Sequence, residues 1–230
     1  VTRRGAHVAI DRKKTLDSYG AATGEFRLLE VPPMPYLMMD GEGDPNSAPA
    51  YSDALAALYP VAYAVKFAVR EATGEDHVVM PLEALWWADD LSVFTTARDK
   101  SRWAWTVMIL VPDAVTDEMF QDAVVGVARK KRPTRIADVR LETLEEGACV
   151  QTLHVGSYDD EDATLATLHD RFLPDNGLRP TGKHHEIYLS DPRRVDPARR
   201  RTILRQPVGA RDDGMLSRAP TPRGGPPARS

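Results

Sequence analysis

Two hydrophobic periods alternate along this chain. Apolar residues at Leu55, Leu58, Ala62, Val65 and Val69 have the spacing of one buried helix face, which predicts a long helix over residues 50–73. Gly74 follows as a helix-terminating glycine. Ahead of it, Phe-Arg-Leu-Leu-Glu-Val from Phe26 and Tyr-Leu-Met-Met-Asp from Tyr36 read as strand segments flanking a proline-rich bend, and residues 41–45 carry turn chemistry. Behind it, residues 78–87 and 102–111 read as two strands joined as a hairpin.

The same order then returns. Residues 116–129 form a linking helix with acids at its start and bases at its end, which suits the helix dipole. Residues 141–158 hold a strand pair or one bent strand around Cys149. A helix over 159–174 opens on Asp159, Asp160 and Glu161 and ends at Asn176-Gly177, and residues 184–190 and 202–206 supply two last strands. Both halves, about 16–113 and 114–208, read β-α-β-β with slight identity between them, so the repeat is architectural. The expected class is α+β, with helices on one face of antiparallel sheets. Residues 1–15 lack a sustained period and read as a flexible arm. Residues 209–230 are rich in Pro, Gly, Arg and Ser, bury too little to offset their ordering entropy, and are expected to be disordered.

Composition narrows the function. A length of 230 residues with 42% hydrophobic and 28% charged side chains is ordinary for a globular protein with a sizeable core. A net charge of -4 speaks against nucleic acid or a membrane surface as partner. One cysteine, Cys149, excludes an intrachain disulfide and fits a reducing compartment. No apolar run reaches the ~20 residues of a membrane helix, and none near the start has the form of a secretory signal. The expectation is a cytoplasmic monomer or homodimer.

Candidate chemistry centres on two glutamates inside strand-like runs, Glu83 and Glu186, because glutamate is depleted in strands and seldom buried without a partner. Alternation puts Glu186 on one face with His184 and Tyr188, and Ile187 and Leu189 on the other, which reads as the core face against a helix. Glu83 shares its face with Leu85 and Trp87. Glu186 has two readings: a surface or ion-paired carboxylate, or a partly desolvated one that serves as general base or binds a cation. All four tryptophans fall within residues 86–105, either as packing or as a flat-walled pocket for an aromatic ligand. His184 and His185 point to opposite faces and cannot chelate together, so neither metal nor cofactor is expected. Cys149 reads as an inert core thiol.

The segments Val-Met-Pro-Leu-Glu-Ala-Leu-Trp-Trp (79–87), Trp-Ala-Trp-Thr-Val-Met-Ile (103–109), Gln-Thr-Leu-His-Val-Gly-Ser-Tyr-Asp-Asp-Glu (151–161), Lys-His-His-Glu-Ile-Tyr-Leu-Ser-Asp-Pro (183–192) and Thr-Ile-Leu-Arg-Gln-Pro-Val (202–208) resemble the GyrI-like small-molecule-binding family, and its stand-alone branch most. The resemblance covers about residues 16–208 and implies a pseudo-twofold pair of βαββ modules with a ligand cleft between them. It implies a hydrophobic or aromatic small molecule as partner and, in the stand-alone branch, hydrolysis of cyclopropane rings in cyclopropanoid toxins. By that resemblance Glu186 is the catalytic carboxylate and Tyr63 a helix residue facing the cleft. Trp87, Trp103 and Trp105 are its walls, with Glu83, Tyr158, His184 and Tyr188 as further ligand-binding residues. Ala84 stands where many relatives have glycine and narrows the cleft slightly. A non-catalytic binder of hydrophobic or cationic aromatic drugs is the alternative. No helix-turn-helix precedes the module, so a transcription factor is not expected.

Overall fold

A computed structural model describes residues 9–88 and 99–211. Its strands are β1 (Arg27–Val31), β2 (Met34–Glu42), β3 (Glu83–Trp87), β4 (Ala104–Leu110), β5 (Arg140–Leu144), β6 (Gly147–Val155), β7 (Leu178–Pro180), β8 (His184–Tyr188) and β9 (Arg201–Ala210). Helix α1 is Pro49–Thr73 and α2 is Asp117–Lys131. Helix α3 (Asp162–Thr167) passes through a π turn (Leu168–Phe172) into a last turn, Leu173–Asp175. No described helix is long and apolar enough to cross a membrane.

The strands form one antiparallel sheet in the order β1-β6-β9-β8-β3-β4-β2-β5, with β7 paired to β9. The two modules meet in the middle, where β3 pairs β8. They meet again at the ends: Arg27 pairs Gln151 and Met34 pairs Leu144, one register carried across the bend at Pro32-Pro33. That second junction curls the sheet into a half-barrel whose inner face is lined by Tyr36, Met38, Met108, Ile187, Ile203 and Leu153.

Helices α1 and α3 both pack on the outer face. The stripe Ala54, Ala57, Leu58, Val61, Ala62, Val65 and Val69 of α1 is buried with Leu37, Met39, Val107 and Ile109 of β2 and β4. Leu168 and Leu173 pack on Val150 and Val208. Each leucine or valine among these contributes ~1.5–3 kcal/mol when fully buried. Helix α2 lies against α1.

Four expectations change. Ile187 is a core residue, but the core it joins is the barrel interior; the helices lie on the face of Glu186. The strand expected over 78–87 begins only at Glu83, since Pro81 has no N–H for a ladder and Val78 instead donates to the Ile10 carbonyl. That contact, with the Ile10–His77 bridge, docks residues of the expected arm onto the body. Strand β9 continues through Ala210 by pairing β7, past the boundary expected at 208. The remainder of the expected arm and tail, residues 1–8 and 212–230, lies outside the described residues.

Candidate functional site

Register decides which side chains can meet. In the β3–β8 pair Ala84 opposes Glu186 and Leu85 opposes His185, so Glu186 shares the outer face with Ala84, Trp86, His184 and Tyr188. Glu83 shares the inner face with His185. Trp86 opposes Trp105 across β3–β4, which brings Trp105 to the outer face as well.

On that outer face, between α1 and α3, the Glu186 side chain retains 14% exposure. The Tyr188 hydroxyl donates to Glu186 Oε2 at 2.7 Å and accepts from Trp86 Nε1 at 3.1 Å. The indole thereby orients the phenol and the phenol orients the carboxylate. Glu186 Oε1 lies 3.6 Å from His184 Nε2, beyond hydrogen-bond reach, and both ring nitrogens of His184 are buried without a partner. Aromatic rings frame the group. Trp103 meets Trp86 edge-on at 5.5 Å, Tyr158 meets Tyr188 edge-on at 5.6 Å, and Tyr51 of α1 stacks with Trp86 at 6.4 Å. Burial first, and the negative charge of Glu186 second, raise the pKa of both Tyr51 and Tyr188. Both phenols are therefore neutral donors at physiological pH.

Trp105 forms the floor. It is fully buried, edge-on to Tyr51 at 5.1 Å, and its Nε1 donates to the Gly43 carbonyl at 3.3 Å. Its ring lies so close over Gly41 that a Cβ there would come within 2.1 Å of it. Glycine at position 41 is what lets the indole lie flat on β2.

The inner face carries different chemistry. Glu83 is 0% exposed, accepts from the Tyr19 hydroxyl, and lies 3.0 Å from His185 Nε2. His185 Nδ1 lies 2.9 Å from Glu146 Oε1, and Arg205 donates to Glu146 Oε2 at 2.8 Å, to the Gln151 side chain at 3.0 Å and to the Ser18 carbonyl at 2.6 Å. An imidazole between two carboxylates donates from both nitrogens only as the cation. Burial alone would lower the pKa of His185, but the charge of Glu146 and the hydrogen bonds His185 donates to both carboxylates raise it. Burial likewise works against Glu146, yet His185 and Arg205 hold it down at about 2. These four side chains thus close on one another inside the barrel, on the face opposite Glu186.

The sequence-derived candidates therefore divide. Glu186, His184, Tyr188, Tyr158 and Trp103 come together, with Trp105 beneath them. Glu83 and Trp87 lie on the opposite face, where Lys183 Nζ sits 3.2 Å from the centroid of Trp87. Tyr63 is 51% exposed on α1 and makes no described contact with Glu186; Tyr51 is the α1 phenol that meets the cleft. Sequence reasoning missed Trp86, Tyr51 and Glu161. Trp86 was accessible only through the register. Glu161, in the turn before α3, read as a helix-opening acid but is 4% exposed. Cys149 is buried in β6, and burial pushes its thiol up to about 12.

A family model described as GyrI-like small molecule binding domain matches residues 24–208. Among solved structures, an uncharacterized conserved protein from Listeria innocua is 39% identical with a TM-score of 0.79, covering 87% of this chain and 100% of its own. Two structures described as hydrolases from the same organism are 38% and 36% identical, with TM-scores of 0.74 and 0.77. They cover 87% and 88% of this chain and 100% of their own. No curated protein matches this chain.

Proposed function

The chain belongs to the GyrI-like small-molecule-binding family, and from that premise we propose that it is a hydrolase opening the electrophilic cyclopropane rings of toxic cyclopropanoid-type compounds. The observation that carries this reading is Glu186 itself. One of its oxygens is fixed by Tyr188, the other accepts no hydrogen bond from a described residue, and aromatic rings surround it. The two Listeria relatives described as hydrolases, at 38% and 36% identity, support it.

A cyclopropane conjugated to a carbonyl is strained and electrophilic, so water suffices as nucleophile once a base removes its proton. Glu186 Oε1 takes that proton, a contribution of ~10²–10⁴-fold. Trp86 and Trp103 hold the flat substrate, and Tyr51 offers a neutral hydroxyl to the substrate oxygen in the role first expected of Tyr63. The protein is incubated with a cyclopropanoid electrophile and the products are weighed by mass spectrometry. A ring-opened product one water heavier, absent with Glu186→Gln, is expected; unchanged hydrolysis by that variant refutes the assignment.

A second reading has its own support. A carboxylate framed by tryptophan and tyrosine faces also suits a cationic aromatic ligand, held by charge and cation–π attraction. A binder of this kind forms no product, and Glu186→Gln then weakens cations while sparing neutral ligands.

A further inference from the structure

Beside Glu186 stands a second carboxyl group for which the mechanism above has no use. Glu161 lies in the turn between β6 and α3, 4% exposed, and its Oε1 is buried with no hydrogen-bond partner. Thr202, which pairs with Tyr188 in the β8–β9 ladder and so faces the same way, has a buried hydroxyl in the same condition. A buried carboxyl group with an unpartnered oxygen is costly as an anion and much less so as a neutral acid. Unpaired polar atoms buried beside a carboxylate also mark where a ligand's own polar atoms would be satisfied.

We infer that Glu161 is the site's proton donor, holding the proton that passes to the substrate oxygen as the ring opens. This rests on the hydrolytic reading above. In the step, a lone pair of water forms the new C–O bond while the water proton moves to Glu186. The strained C–C bond breaks, and its electron pair runs through the conjugated carbonyl onto oxygen. The Glu161 proton moves to that oxygen. Glu186 is left protonated and Glu161 ionised, and one proton passed from the first to the second restores the site. The net change is substrate plus one water.

The surroundings favour this division of labour. Glu161 is faced by Glu186 and Tyr188 from β8, by Thr202 from β9, and by Tyr158 and Asp159 from its own turn. Lys100 is a cation near it, but that ammonium is already 3.0 Å from Asp159, and Arg200 lies over the Tyr158 ring. Burial first, and Glu186 second, push Glu161 up to about 10. A buried carboxyl group raised by a neighbouring carboxylate is an established arrangement for holding a proton beside a base.

Two measurements on the full chain test this. Infrared difference spectra near neutral pH are expected to show a carboxylic C=O band that shifts in D2O. It should be present in the wild type and in Glu186→Gln, and absent in Glu161→Gln. No such band in the wild type, or its survival in Glu161→Gln, overturns the inference. Ring opening followed by mass spectrometry should fall on the order of 10²-fold or more in Glu161→Gln, with ligand affinity held within about threefold. Glutamine keeps the shape and an N–H donor but has no proton to transfer, so a merely structural role leaves turnover intact. Wild-type turnover in that variant overturns the donor role. If the band behaves as expected but the wild type opens no ring, the hydrolytic reading fails while the proton's place on Glu161 stands.

Discussion

Ala84 sits directly across from Glu186 in the β3–β8 pair, and this one register sends Glu83 and Glu186 to opposite faces of the sheet. The two glutamates that looked like a matched pair thus share no cavity. One is enclosed in an ionic network; the other borders the cleft between α1 and α3.

Trp86 and Trp87 offer a direct check on that division. Trp86→Leu removes the ring that stacks with Tyr51 and the indole that orients Tyr188, so affinity for flat ligands should fall on the order of tenfold or more. Trp87→Leu acts on the other face and should leave affinity within about twofold. Calorimetric titration of both variants with one aromatic ligand distinguishes them, and an equal loss contradicts the assignment of faces.

Glu146→Gln should destabilise the fold without touching the cleft. It leaves the Arg205 and His185 charges buried with one carboxylate fewer, which costs about 3–5 kcal/mol when a buried pair is broken. Urea unfolding monitored by tryptophan fluorescence reads this as a lower midpoint, while ligand affinity of the folded protein stays unchanged.

The same network should shape stability against pH. Glu146 is depressed from its ordinary 4.5 to about 2, so its contribution is present above about 4.5 and is lost as pH falls from there toward 2. His185 is raised above its ordinary 6.5, so its contribution is full below that value and is lost as pH climbs through the folded-state pKa. Stability from this cluster should therefore peak between about 4.5 and 6.5. Unfolding midpoints measured across pH should show both limbs, and Glu146→Gln should flatten the acid one.

Gly41→Ala tests the floor of the cleft. The added methyl meets the Trp105 ring, which is fully buried and cannot swing away. Overpacking of this kind costs about 1–3 kcal/mol. Because Trp105 supports Tyr51, thermal unfolding and ligand affinity should fall together. A variant with normal stability and binding would mean that Trp105 relaxes freely.

Much of the architecture was legible from local pattern. The stripe from Leu58 to Val69 announced α1, Gly74 with its left-handed backbone ended it, and alternation placed His184, Glu186 and Tyr188 on one face. Short elements were harder to see. Strand β7 has three residues, and the helix expected over 159–174 breaks into a 3-10 turn, an α segment and a π turn. Pieces this short span little more than one repeat of their period, too few residues for a pattern to stand out.

The amino-acid sequence alone determined the duplicated β-α-β-β order, the helical and strand periods and the Glu186 motif, because each depends on residues only a few positions apart. Tertiary structure decided which face is the interior, which tryptophan meets Glu186, and that Tyr51 and Glu161 join it where Tyr63 and Glu83 do not. These outcomes depend on strand register, and a shift of one residue in the β3–β8 pair exchanges every side chain between barrel and cleft. Register is set by the packing of two modules about a hundred residues apart, which no local pattern encodes.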